Sequence, residues 1–335
     1  MLTRAIAGIA ALTFALPAAA QTVKPGALKT YRDWTVGCDN GGRCKAVALA
    51  PEDGAADEWP VFMLSIERQA GPAGAVTIGL SGQEEAKPPV AILIDGKPAA
   101  TMRGKAITGA EASRLAAALA GGTRATIRAG EKSAVNSLAG LSAALRYIDA
   151  EQKRAGTLGA LVAKGPAPDT AAAPALPVVR AVAATGKAGS LSPTRIAALR
   201  KAAECGIADY NDTPPAPEFH ALGGGEMLVL LPCDSGAYNF ISSLYVIGRD
   251  GKVRPAQTDA PAGMDPDARV PSVVNGSFER GILSSYAKGR GIGDCGVSQQ
   301  FAWDGRRFRL IEQSEMGECR GSIDYITTWR ARVVR

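Results

Sequence analysis

The sequence is poor in the side chains that move protons: a single histidine, His220, stands among 335 residues. A serine–histidine or cysteine–histidine mechanism would have to run through it. It sits beside Pro214, Pro215 and Pro217 in what reads as a loop, and no Gly-x-Ser-x-Gly elbow occurs anywhere. Cys-x-x-Cys pairs and histidine clusters are missing as well, which argues against a zinc site. Beyond the N-terminus no uninterrupted apolar stretch approaches the roughly 18 residues of a spanning helix. Charged residues make up 21% and hydrophobic ones 46%, which excludes a disordered tail and a multi-span membrane protein. Aromatics are scarce too (Phe 7, Tyr 7, Trp 4), and 12 of them fall between Tyr210 and Trp329. An alanine-rich front is thus set apart from an aromatic-rich back.

What is present first sets a compartment. Met1–Ala20 has the layout of a secretory signal peptide: Arg4 supplies the positive charge, Ala5–Pro17 the short apolar run, and Ala18–Ala20 the small-residue cleavage site. The chain released near Ala20 is expected to be periplasmic or secreted, with no membrane span. Six cysteines suit that address: Cys38, Cys44, Cys205, Cys233, Cys295 and Cys319. A three-residue loop Asn40–Gly42 places Cys38 opposite Cys44 on a hairpin, within disulfide reach, with Gly42 at the left-handed position. Sequence proximity alone would pair Cys205 with Cys233 and Cys295 with Cys319.

The clearest boundary is Lys164–Leu191, where Pro166, Pro168, Pro174 and Pro177 stand among alanines; this reads as a semi-extended linker rather than a packed element. It separates residues 21–163 from residues 192–335. In the front part, strands are expected at Val61–Glu67, Val76–Leu80 and Val90–Ile94, the last ending at an Asp95-Gly96 turn. Thr108-Gly-Ala-Glu111 is a capping box ahead of one helix, and Ser137–Lys153 carries a second. The back part opens with a helix capped by Ser192 with Pro193 at its first position, then turns strand-rich. Its best hairpin is Phe301–Leu310 with Asp304-Gly305 as a two-residue turn, which opposes Trp303 to Arg306 and Phe301 to Phe308. That register puts Phe301, Trp303, Phe308 and Leu310 on one face and Arg307 and Arg309 on the other. A last strand is expected at about Ile323–Val333. The fold class is therefore α+β: two β-rich domains of antiparallel sheets with one or two helices each, stapled by disulfides.

Motifs that imitate chemistry are explained more simply by structure. Gly289-x-Gly291-x-Gly293-x-x-Gly296 resembles a nucleotide loop, but a strand pattern follows it where the fingerprint needs a helix, so a glycine-rich turn is expected. Asp259, Asp265 and Asp267 lack EF-hand spacing, and Glu312 and Glu315 read as surface acids unless geometry brings them together. No catalytic residue, cofactor or metal is expected. Residues 269–335 carry 11 basic and 7 acidic side chains, which suits an anionic glycan or lipopolysaccharide but is too dilute for nucleic acid. Arg306, Arg307, Arg309, Arg290 and Tyr286 form the candidate binding surface, since arginines with aromatics recur at binding hot spots.

Tyr31-Arg-Asp-Trp34, Cys38-Asp-Asn…Cys44 and Ser137-Leu-Ala-Gly-Leu-Ser-Ala-Ala-Leu145 resemble the invasion-associated locus B proteins of Gram-negative bacteria. The resemblance covers only the front part, and residues 60–136 lack the further cysteine pair of that family. The whole layout resembles a longer exported proteobacterial family, the domain of unknown function DUF1176. This layout includes the linker, Gly293-Asp-Cys-Gly296, Trp303-Asp-Gly and Cys319-Arg-Gly ahead of Trp329. The resemblance implies an exported protein and no established catalytic residue. The leading expectation is a non-enzymatic envelope protein that binds an envelope component or a protein partner. The alternative is an envelope hydrolase or hydrolase inhibitor acting on peptidoglycan or glycan.

Overall fold

The computed structural model describes residues 23–52, 60–82, 84–207, 215–263, 265 and 268–335. The leader with its cleavage site lies outside the described residues, as does Asp267. In the front part the chain runs β1 (Lys29–Tyr31), β2 (Trp34–Cys38), β3 (Cys44–Ala48), β4 (Met63–Arg68), β5 (Val76–Ser81), β6 (Val90–Ile94), β7 (Lys97–Met102) and β8 (Ala106–Thr108). Helix α1 (Gly109–Ala120), strands β9 (Arg124–Ala129) and β10 (Lys132–Ser137) and helix α2 (Leu141–Glu151) follow. These strands make two antiparallel sheets, ordered β1-β2-β3-β4-β5-β8 and β10-β9-β6-β7. Asn136 stitches them together: its side chain accepts from Leu64 N at 2.7 Å and donates to Phe62 O at 2.8 Å, imitating a ladder residue. Trp34, Ile66, Ile92, Leu119 and Leu145, all 0% exposed, belong to the core between sheets and helices.

Several expectations change here. Ser137 closes β10, so the second helix starts at Leu141, and the β9–β10 hairpin replaces what alanines and arginines left unmarked. Thr108 does precede α1 but makes no side-chain capping bond. The cysteine hairpin takes the expected register, with Cys38 opposite Cys44 and Gly42 at φ 74°.

Beyond the Pro/Ala stretch come β11 (Val178–Arg180), α3 (Pro193–Ala202), β12 (Glu218–Gly223), β13 (Glu226–Ser235), β14 (Phe240–Ile247), β15 (Val253–Pro255) and β16 (Ser272–Val274). Then follow β17 (Ser277–Glu279), β18 (Ile282–Lys288), β19 (Gly296–Trp303), β20 (Phe308–Met316), β21 (Ile326–Arg330) and β22 (Arg332–Val334). One sheet runs β12-β13-β14-β15 with β16 also on β14, and a second runs β17-β18-β19-β20-β21. Leu228, Leu244, Phe301, Phe308 and Leu310 fill the space between them. Ser192 Oγ accepts from Arg195 N at 3.4 Å, and Ile196, Leu199 and Ala203 pack inward, as their spacing expects.

The Pro/Ala stretch is extended, but it is packed rather than free. β11 pairs in parallel with β22, and Val179 is 5% exposed. Asp169 forms an ion pair with the buried Arg154 and lies 4.0 Å from Arg68. Burial and the neighbouring Arg154 push the Arg68 guanidinium down to about 10. Prolines deny this segment a continuous ladder, yet its apolar and acidic side chains still find partners.

The two parts also meet directly. Val47 and Leu49 pack with Cys295, Met316 and Ile326. Around that contact runs a charged seam. Arg330 Nε donates to Asp39 Oδ2 at 2.5 Å, Arg320 Nη2 to Asp33 Oδ1 at 2.6 Å, and Lys45 pairs with Asp324. Asn40 and Arg330 exchange two bonds, at 2.9 and 2.8 Å, as a strand pair would.

Candidate functional site

The five-stranded sheet separates the residues of the expected binding surface. Arg306, Arg307 and Arg309 lie at the turn between β19 and β20, whereas Tyr286 and Arg290 lie at the opposite end, near the start of β19. An eight-residue strand spans roughly 25 Å, so the two groups do not form one patch.

At the turn, the register differs from expectation by two residues: Trp303 opposes Phe308, Ala302 opposes Arg309, and Phe301 opposes Leu310. The reason is Asp304. Its Oδ1 accepts from Arg306 N at 2.9 Å and Arg307 N at 2.8 Å, and its own N–H donates to Arg307 O at 3.1 Å. An aspartate that captures its own following amides widens the turn to four residues. A shift of two preserves the faces, so Phe301, Trp303, Phe308 and Leu310 still share the core. The other face is not an open basic surface: Ala302 is 0% exposed and packs with Val179 and Ile311. Arg309 donates to Asp259 Oδ2 at 2.5 Å and to Asp304 Oδ2 at 3.4 Å. Burial works against its charge, but these two carboxylates hold its pKa above the ordinary value. Asp259 also accepts from Leu310 N at 2.7 Å, which makes it a brace. Arg306 is the exposed member, and Arg307 is half-buried.

The opposite end is the Gly289–Gly296 stretch, which β19 follows directly, as a turn requires and a dinucleotide loop does not. Three tyrosines pin it. Tyr238 donates to Gly289 O at 2.9 Å, and Tyr286 and Tyr325 both donate to Gly293 O, at 3.0 and 3.1 Å. The Tyr286 and Tyr325 rings meet edge to face at 5.9 Å. Burial, and then the contact with Tyr286, pushes the Tyr325 phenol well above its usual range, so it stays a donor. Asp294, 1% exposed, accepts from Arg290 Nε at 2.7 Å and Nη2 at 2.5 Å and from Gly321 N at 2.7 Å. Burial opposes that charge, but the arginine fork and the amide prevail and hold the carboxyl below the usual range. The Cys295–Cys319 disulfide closes the base, with Cα atoms 4.8 Å apart. A side chain at Gly296 would strike Ala287 O at 2.1 Å, so the loop crosses its own stem where only glycine fits.

This frame presents apolar groups outward: Ile292 is 64% exposed and Tyr238 41%. Tyr238, Tyr325, Asp294 and Ile292 escape a reading by motif, because their roles depend on chain segments far apart in sequence. The one available signal is the clustering of glycines ahead of a cysteine.

His220 lies on β12 rather than in a loop, 3.0 Å from Glu218, with its ring tilted at 47° to that of Phe278 and the centroids 5.2 Å apart. Glu312 and Glu315, three apart on β20, point to opposite faces by strand periodicity. Among the described residues no group of three or more His, Cys, Asp or Glu side chains could hold a metal. Cys205–Cys233 and Cys38–Cys44 complete the disulfides, with Cα separations of 4.5 and 4.0 Å.

The chain is 28% identical over 341 residues to the uncharacterized protein YpfG of Escherichia coli (strain K12), across 91% of this chain and 93% of that protein. No solved structure matches it. The profile of the family described as "Protein of unknown function (DUF1176)" matches residues 28–332, and the chain belongs to that family.

Proposed function

We propose that this is an exported, non-enzymatic envelope protein that recognises a protein partner through the Gly289–Gly296 loop. One observation carries the reading: an apolar side chain, Ile292, is held out at 64% exposure on a loop whose carbonyls, charges and ends are tied down. Pre-organisation of this kind lowers the entropy cost of association, and an uncharged tip suits a protein surface better than an anionic glycan. Three disulfides fit an oxidising compartment, and among the described residues no helix is long and apolar enough to cross a membrane. The reading takes Met1–Ala20 as the export signal. It takes residues 21–163 and 192–335 as two units locked across the Arg330–Asp39 seam.

The test is site-specific photo-crosslinking in cells, with benzoylphenylalanine at position 292 or at position 306. A discrete protein adduct from position 292, lost on adding Tyr325→Phe with Asp294→Asn, is expected. Adducts from position 306 alone would place recognition at the other end of the sheet; none from either position would end the proposal.

A further inference from the structure

A second site lies on the inner face of β18, β19 and β20. Val23 and Pro25 of the N-terminal segment, together with the Ala260–Gly263 loop, cover a cavity of about 470 Å³ there. That volume falls in the range of small-ligand sites. Its walls include Pro261, Ala287 and Val297, and among the described residues none of those lining it is charged.

A row of polar side chains crosses this apolar floor. Ser285, Gln299 and Gln313 are direct neighbours on successive strands: Ser285 opposes Gln299, and Gln299 opposes Gln313. All three are buried, at 3%, 8% and 8% exposure. The Gln299 amide nitrogen donates to Pro261 O and to Gln313 Oε1, each at 2.9 Å, which fixes the carboxamide plane. Its Oε1 has no donor among the described residues. Ser285 Oγ accepts from Val274 N at 3.0 Å, and its own O–H has no acceptor among them. The floor therefore offers one unmatched donor beside one unmatched acceptor, on adjacent strands about 5 Å apart. Farther along, Gln313 donates to Glu315 at 3.4 Å, and burial raises the Glu315 pKa toward the neutral form.

We propose that this cavity binds a short, uncharged, amide-bearing apolar ligand, with the class of a blocked apolar peptide segment. A peptide unit carries the complementary C=O and N–H side by side, and small aliphatic side chains match the Pro, Ala and Val walls. A carboxylate or ammonium group would lose its hydration without finding a counter-charge among the described lining residues.

The experiment is an NMR titration of the full mature chain with N-acetyl-alanyl-alaninamide, and in parallel with N-acetyl-alanyl-alanine, its free-acid analogue. Saturable shifts with the amide, and at least about tenfold weaker binding of the acid, are expected. Ser285→Ala and Gln299→Leu should each weaken the amide about tenfold. Val23→Trp fills the mouth from a segment outside the sheet, so it should abolish binding while the spectrum stays that of the folded chain. No saturation by about 10 mM, preference for the acid, or undiminished binding in Val23→Trp would each overturn the proposal.

Discussion

The two ends of the five-stranded sheet use the same residue types, arginine, aspartate and glycine, to opposite effect. At the β19–β20 turn, Asp304 binds backbone amides of its own loop, and Arg309 lies between two carboxylates. Asp304 works within its own turn, while Arg309 and Leu310 also draw on Asp259 of a distant loop. At the Gly289–Gly296 end, Asp294 is buried and reaches Arg290, Gly321 and, through the disulfide beside it, the segment around Cys319. Tyrosines from two other segments close it. The difference lies in which backbone each aspartate holds: Asp304 braces the amides of its own turn, whereas Asp294 ties the loop to the Gly321 amide of a distant segment.

The largest test of that contrast removes the long-range staple. Cys295→Ala with Cys319→Ala should lower unfolding free energy by about 3 kcal/mol, measured by urea denaturation, because it frees a loop of 24 residues. If stability holds within about 0.5 kcal/mol, the disulfide is not what orders this end. A smaller effect separates the two aspartates. Asp294→Ala should cost about 2–3 kcal/mol, since it strands the Gly321 amide and removes a buried forked ion pair, against about 1 kcal/mol for Asp304→Ala at the turn. Because the folded pKa of Asp294 is depressed, its stabilisation is present above the ordinary carboxylate range and is lost as pH falls through and below it. The acid limb of a stability–pH curve should therefore flatten in Asp294→Asn; an unchanged limb would contradict the assignment. The smallest expected effect is Arg306→Ala, within about 0.5 kcal/mol, because that side chain is exposed. A larger loss would mean that Arg306 does more at the turn than its exposure indicates.

Legibility followed range along the sequence. The Cys38–Cys44 hairpin was readable to the residue, since a sequence separation of 6 holds both the loop and the bond. The faces of β19 and β20 were readable, because alternation survives a register shift of two. The register itself was not, because Asp304 uses its side chain where a turn rule counts only backbone. The β9–β10 hairpin was missed because Arg124–Ala129 and Lys132–Ser137 carry little aromatic or β-branched signal; their pairing rests on Ile127, Ala134 and the buried Asn136. The basic excess of the C-terminal segment was readable as a count, but Arg320 and Arg330 answer Asp33 and Asp39 of the front part.

The sequence by itself determined the antiparallel, disulfide-stapled α+β class and the apolar faces of the strands. Periodicity, glycine placement and cysteine spacing act over a few residues, and no distant partner is needed to read them. Only the tertiary structure decided which arginines are neutralised, that the Pro/Ala stretch is packed, and that three tyrosines hold a glycine loop around an exposed isoleucine. Those outcomes depend on burial and on hydrogen bonds between segments tens to hundreds of residues apart, and such pairings are set when the sheets close on one another.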